Sequence, residues 1–544
     1  MDWSKFITKI NPLKKNKSKV YEMGDFKDLD LQARIDQTDK LKVARKLKKN
    51  LKIFCNVFGN SFDLNIRTFT VGENEIPGAL VYMAGLSDNA EVENILKSLK
   101  IELLKIEQRK LSAEKMYNII NKKIINNRAI NKMQDYSKIF SELTLGSTAV
   151  LLDGVPEAII CETRGFEVRN IEEPKNEITI RGPRDGFVEN INVNTSLIRQ
   201  RIRTPNLWFK EYKIGKLSKT SILITYIKGL ASEELVEEVE SRLKGIEVDQ
   251  ILESGFIQDY IQEQKYAIFP TILRSERPDK VCSSLTQGKV AILTANTPFV
   301  LIMPATFNMF LQSADDYYEP FIIINFIRIL RHISYFMSFL IPGLYVGVVN
   351  YHPELLPANL LLRIAATREG VPFPLIVESL IMEATFELLR EAGLRLPTAI
   401  GSAVTIVGAL VVGEAAINAG LVSPPMVIIV ALTAIASFTV PAYELGITGR
   451  FIRFVFLFLG GSMGLFGIQF GILALIIHLC SLRSFGQPFL QPFAPFIRED
   501  IQDSIFRFPF WRMINRPKLL DHRDKQRQKK GQEPSTPEEE EERK

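Results

Sequence analysis

The chain has 544 residues, of which 46% are hydrophobic and 24% charged, and its 68 Lys and Arg against 62 Asp and Glu give a formal net charge of +6. That length holds two or three domains with cores of their own, and so mild a charge, without any base-reading motif, argues against a nucleic-acid partner. Four cysteines, Cys55, Cys161, Cys282 and Cys480, form no CxxC pair, which argues against a disulfide framework or zinc site and fits a reducing compartment.

The mean hydropathy of +0.05 averages a charged front portion with an apolar final third. Residues 1–40 read as a polar arm; the basic start MDWSKFITKINPLKKNKSKV lacks the apolar core and cleavage site of a secretory signal. A cytoplasmic first domain is therefore expected. From residue 41, Leu41, Val43, Leu47, Leu51, Phe54 and Phe58 space out one helical face. Ile66 to Val71 and Ala79 to Met83 read as strands, followed by a helix from Asp88 to Leu104. Further on, Trp208 to Ile214 and Ser221 to Ile227 read as strands, and Ser232 to Leu243 as an acidic amphipathic helix.

Two stretches resemble each other. TLGSTAVLLDGVPEAIIC (Thr144 to Cys161) and TQGKVAILTANTPFVLIM (Thr286 to Met303) share Thr, Gly, Ala, an apolar run, a proline and a second apolar run. Either hairpins are alike in general, or two related α/β (α+β) subdomains, residues 41–163 and 164–303, each end in this hairpin. Between them, Gly182, Arg184 and Gly186 are Gly-rich enough for a phosphate contact, but the segment opens no helix after a strand, so an inter-domain turn is preferred.

Residues 304–485 read as a helical, polytopic membrane domain, and 486–544 as a cytoplasmic C-terminal segment ending in a disordered tail. Pro304 to Phe321 is too polar to cross lipid and suits its surface, with Tyr317 and Tyr318 at headgroup level. Four crossings of the lipid bilayer are expected: Phe326 to Val349, Thr398 to Ala419, Pro425 to Tyr443 and Phe454 to Cys480. Both termini are then cytoplasmic, and Arg450 and Arg453 fall on the outer side, against the positive-inside tendency. Gly460, Gly461, Gly464, Gly467 and Gly471 mark a close helix contact.

No P-loop, GxSxG or dinucleotide fingerprint is present, and the four histidines, His332, His352, His478 and His522, give no metal set. The expectation is no catalytic residue, no cofactor, no metal and no enzyme activity. The informative groups are carboxylates in apolar surroundings. Glu383, Glu387 and Glu391 share one face of a helix, Glu378 precedes them, and Glu414 lies inside an apolar run. Glu378, Glu383, Glu387 and Glu414 are candidates for an ion path or a protomer interface, with Arg390 or Arg395 as counter-charges.

Several long motifs carry a resemblance. EPKNEITIRGPRDGFVENINVNTSLIRQRIR (Glu173 to Arg203), FPTILRSERPD (Phe269 to Asp279), HPELLP (His352 to Pro357), REGVPFPLIVESLIMEATFELLREAGLRLP (Arg368 to Pro397), GLVSPPMVIIVALTAIASFTVPAYEL (Gly420 to Leu445) and SLRSFGQPFLQPFAP (Ser481 to Pro495) look like the A-subunit family of GerA-type spore germinant receptors. The related stage V sporulation AF proteins share these motifs. The resemblance implies a spore inner-membrane protein that triggers germination in response to nutrients beside a transporter-like B subunit and a lipoprotein C subunit. It also implies a homo-oligomer, a pentamer, that releases monovalent cations. The alternatives are a membrane-anchored scaffold or accessory protein of the stage V sporulation AF type, and a soluble half that itself holds the nutrient.

Overall fold

The computed structural model describes residues 31–71, 75–106, 113–120, 130–165, 173–174, 176–396, 411–520 and 524–535. The first unit runs α1 (Leu31–Asp39), α2 (Leu47–Val57), β1 (Leu64–Val71), β2 (Ile76–Met83), α3 (Asn89–Ile106), α4 (Ala113–Ile119), β3 (Ile130–Met133), α5 (Tyr136–Thr144), β4 (Thr148–Leu152) and β5 (Ala158–Cys161). The second runs α6 (Ile191–Arg201), β6 (Leu207–Ile214), β7 (Thr220–Ile227), α7 (Glu233–Lys244), α8 (Ser254–Ile261), β8 (Leu273–Ser275), α9 (Pro278–Thr286), β9 (Val290–Thr294) and β10 (Val300–Met303).

Both sheets are antiparallel and share one order, β1-β2-β4-β5-β3 in the first and β6-β7-β9-β10-β8 in the second. The resembling stretches supply β4-β5 and β9-β10, the same hairpin in each. Every residue of β4 and β9 is buried, because helices cover both faces. In the first sheet α2 and α5 cover one face, with Phe54, Val57 and Phe140, while α3 and α4 cover the other, with Ile95, Leu99 and Met116. In the second, α6 and α9 take the first role and α7 and α8 the second.

The units are joined by a buried ion pair. Asp63, just before β1, accepts from Arg199 Nε at 2.9 Å, and both side chains are essentially inaccessible. Backbone bonds reinforce it: Phe62 N donates to Phe209 O at 2.9 Å, and Trp208 Nε1 donates to Val57 O at 3.0 Å. Residues 31–39, expected within a polar arm, form a helix whose Arg34 donates to Asn206 Oδ1 at 2.8 Å; residues 1–30 lie outside the described residues.

After β10 come α10 (Phe307–Leu311), α11 (Phe321–Tyr351), α12 (Ala358–Arg368), α13 (Leu375–Arg395), α14 (Pro424–Ser437) and α15 (Tyr443–Ser481), with residues 411–418 also helical. Two of these, α11 and α15, are long and apolar enough to cross a membrane. The four expected crossings do not reappear as drawn. Pro425 to Tyr443 is broken, because Pro441 has no N–H to continue a helix, and α14 alone is only about 21 Å long. Most of Thr398 to Ala419 lies outside the described residues.

The largest departure concerns Phe454 to Cys480, which is a hairpin and not one crossing. Gly464 adopts φ 64°, ψ −145° inside α15, a conformation open to glycine, and the helix turns back on itself there. A Cβ on Gly471 would lie 2.8 Å from Leu459 Cδ1, and one on Gly467 2.3 Å from Leu459 O; neither approach is available to a straight helix. Both ends return to the second sheet's unit: Thr448 Oγ1 donates to Ile268 O at 2.9 Å, and Gln264 Nε2 donates to Ser481 O at 3.2 Å. Arg450 and Arg453 therefore sit at the end of the hairpin nearest the second sheet's unit, and not at its far end.

α11 packs on the first arm backbone to backbone. A Cβ on Gly460 would meet Gly343 O at 2.2 Å. The aromatic chain Phe269, Phe307, Phe489, Tyr335, Phe339 and Phe456 makes one continuous core from the second sheet into the helices. Tyr317 and Tyr318, expected at the membrane surface, are half-buried and donate hydrogen bonds to Asp503 and Asp279.

Two outcomes follow. Asp63→Asn strands Arg199 in the inter-unit core and should lower stability by about 3 kcal/mol, read as a drop in the denaturation midpoint. Gly460→Ala should lower the melting temperature of the detergent-solubilised protein, with a loss of about 1–3 kcal/mol from overpacking, whereas Gly486→Ala, which meets nothing within 4 Å, measures the cost of backbone conformation alone, since Gly486 also has a positive φ.

Candidate functional site

Four of the helices meet around a ladder of charges. Glu383 on α13, 1% exposed, accepts from Arg453 Nη1 on α15 at 2.6 Å and faces Thr433 Oγ1 of α14 at 3.4 Å. Arg453, itself buried, donates from Nε to Ser338 O of α11 at 2.8 Å. One pair thus joins α11, α13, α14 and α15. One turn along α13, Glu387 pairs with Arg450.

Toward the other end, Glu378 is fully buried and accepts from Ser423 N at 2.6 Å. Ser423 is the N-cap of α14, whose first two residues are Pro424 and Pro425. An N-cap amide has no acceptor within its own helix, so it is free to bind the carboxylate, which also faces the positive end of the helix dipole. Arg368 Nε lies 3.9 Å away, a long contact.

The expected counter-charges Arg390 and Arg395 are not the partners. Arg390 donates to Ser437 Oγ at 2.7 Å and stacks over Phe438, and Arg395 pairs with Glu391 on the exposed side of the helix. The partners come from the start of α15, where the crossing pattern had placed Arg450 and Arg453 on the far side of the bilayer. Their spacing of three residues, matched to the four between Glu383 and Glu387, is the signal that sequence reasoning left unused.

Glu414 does not join the ladder. It is exposed on helical residues 411–418, next to exposed Val411 and Val412. The Gly182 turn lies elsewhere again. A Cβ on Gly182, φ 127°, would meet the Tyr318 ring at 2.6 Å, Arg184 pairs with Glu173 at the surface, and Gly186 is buried.

That turn is held by Arg277, 1% exposed, which donates to Pro183 O at 2.9 Å and pairs with Asp279 at 2.6 Å. Burial alone would raise the Asp279 pKa, but hydrogen bonds from Arg277 and Tyr318 hold it below the usual range. Burial pushes the Cys282 thiol up to about 12, so it stays protonated and unreactive.

A second charge cluster, not anticipated, ties the linker before α11 to the C-terminal segment. Asp316 accepts from Arg328 Nε at 2.8 Å and Arg331 Nη1 at 3.0 Å, and Arg328 also donates to Asp503 at 2.9 Å. Arg507 Nη1 donates to the carbonyls of Asp316 and Glu319 at 2.6 and 2.9 Å. Arg328 and Arg331, at the start of α11, are the cations that hold this cluster together.

Comparison with known proteins gives the arrangement a context. The family described as Bacillus/Clostridium GerA spore germination protein matches residues 52–519. The chain is 44% identical over 493 residues to spore germination protein KA of Bacillus subtilis, covering 90% of each. It is 38% identical over 485 residues to spore germination protein GerLA of Bacillus cereus, covering 89% of this chain and 97% of that one. A similar solved structure is the N-terminal domain of the A subunit of the Bacillus megaterium spore germinant receptor GerK3, at 31% identity and a TM-score of 0.40, covering 49% of this chain and 98% of that chain. Matched over most of its length by the family and by such relatives, the chain belongs to the GerA spore germination protein family.

Proposed function

We propose that this chain is a non-enzymatic A subunit of a spore germinant receptor, working in the spore inner membrane as an oligomeric monovalent-cation channel, a pentamer, gated when nutrient is sensed. It acts beside a transporter-like B subunit and a lipoprotein C subunit, with both termini on the cytoplasmic side. The observation that carries the channel reading is Glu414, a carboxylate exposed beside Val411, Val412 and Ala415 on helical residues 411–418 of the single chain. Facing lipid, it costs at least about 2.5 kcal/mol. Copies of the chain around a wet axis remove that cost and line the axis with carboxylates, the usual lining of a cation pathway.

The intrachain pairs of Glu378, Glu383 and Glu387 assign those residues to bracing the helices. Coupling to the soluble units is supported by the continuous aromatic core and by the return of both ends of α15 to residues 264–268.

Reconstitution in liposomes with the B and C partners should give nutrient-triggered potassium flux, and no flux in any combination returns the scaffold reading. Glu414→Lys should cut that flux at least about tenfold by placing a cation in the path, with oligomer size on gel filtration unchanged. Glu383→Gln should instead reduce the yield of folded protein, because a buried Arg453 left unpaired costs about 3–5 kcal/mol. A stable Glu383→Gln protein with altered ion selectivity would move the path to α13.

A further inference from the structure

A cavity of about 360 Å³ lies where three parts of the chain meet: α9 with Lys289, the linker from Pro304 to Tyr318, and the C-terminal segment from Gln487 to Arg527. This is the size of a small-molecule site. Two of its lining groups are buried without adequate partners. Lys289 is 6% exposed, and its ammonium rests on Met309 Sδ at 2.6 Å, a thioether that offers little to a cation. Among the described residues no carboxylate oxygen lies within 4 Å of it. Asn308 is 3% exposed, and its Oδ1 receives no hydrogen bond.

Glu499 and Arg527, which also line the space, are exposed at its rim, and the more buried charged groups nearby are spoken for, Lys280 by Glu177. Asp503 accepts from Arg328 at 2.9 Å and Tyr317 at 2.8 Å. Asp500 accepts from Lys518 N at 3.1 Å and Gln491 Nε2 at 3.2 Å. Asp279 is held by Arg277 and Tyr318. Of the buried groups, what stays open is one cation, Lys289, and one acceptor, Asn308 Oδ1. Burial holds the Lys289 pKa down to about 7, against the attraction of Asp503, so the site pays for keeping a lysine where an apolar residue would fit.

We propose that this cavity binds a small monocarboxylate that also carries a hydroxyl or amine, its carboxylate on Lys289 Nζ and its donor on Asn308 Oδ1. A single charge is favoured because four carboxylates, Asp279, Glu499, Asp500 and Asp503, line the same space and repel a dianion such as doubly ionised phosphate more than a monoanion. An occupant touches the second soluble unit, the linker into α11 and the C-terminal segment at once. The inference stands independently of the channel reading, since it concerns binding and not conduction.

The test uses full-length protein in nanodiscs, titrated with lactate, propionate and inorganic phosphate by calorimetry and thermal unfolding. Lactate should bind saturably with a rise in melting temperature. Propionate, which lacks the donor, should bind about tenfold more weakly, as one hydrogen bond allows, and phosphate should not compete. Lys289→Met, close in shape, should abolish lactate binding while melting no lower than wild type without ligand. Asn308→Leu should erase the preference for lactate over propionate. Absence of saturable lactate binding in the wild type overturns the proposal, as does wild-type affinity in Lys289→Met or a site that takes phosphate in preference.

Discussion

The helical part of the molecule is built around one arginine that has nowhere else to go. Arg453 is buried among apolar helices, and an unpaired guanidinium there would be untenable. Glu383, itself approached by Thr433, and the Ser338 carbonyl are placed by the other three helices to receive it. Apolar packing in lipid is nearly indifferent to rotation and sliding, because lipid tails are as apolar as the side chains. A directional charge pair removes that freedom and fixes register. The rest follows: Glu387 meets Arg450 one turn along, Glu378 reaches the start of α14, and the glycine faces of α11 and α15 come into backbone contact.

The soluble part uses the same device. Two units of identical strand order are fixed to each other by Asp63 and Arg199, and the linker and the C-terminal segment are fixed to the start of α11 through Asp316, Arg328 and Asp503. Each junction between apolar cores carries a buried pair that specifies geometry, while the aromatic chain from Phe269 to Phe456 supplies continuity. Order in the assembly is thus set by a few charges, and cohesion by many rings.

How much of this is legible in the sequence depends on the range of the interaction. Strands and helices governed by periodicity, such as Leu207–Ile214 and Glu233–Lys244, read correctly to within a residue or two. The duplicated hairpin was visible as a motif, because its pattern of Gly, Pro and apolar runs is local. The acidic face of α13 was visible too, but its partners were not: Arg450 and Arg453 lie 63 and 70 residues away in the chain, and locating them needs the reversal at Gly464. That reversal hides because hydropathy sees one long apolar run, and a glycine among four others carries no mark of its dihedral angles. Lys289 and Asn308 were missed for a related reason, since the cavity they line is assembled from segments more than 200 residues apart.

The turned-back α15 has a mechanical meaning. A rod fixed at one end can slide along its axis; a loop whose two feet stand on the same platform can only lean. Because Thr448 and Ser481 both rest on residues 264–268, movement of that strip tilts the two arms together and swings the Gly464 apex sideways. The apex touches Tyr351 at the far end of α11, so the strip at residues 264–268 and the last turn of α11 are linked through the length of both arms.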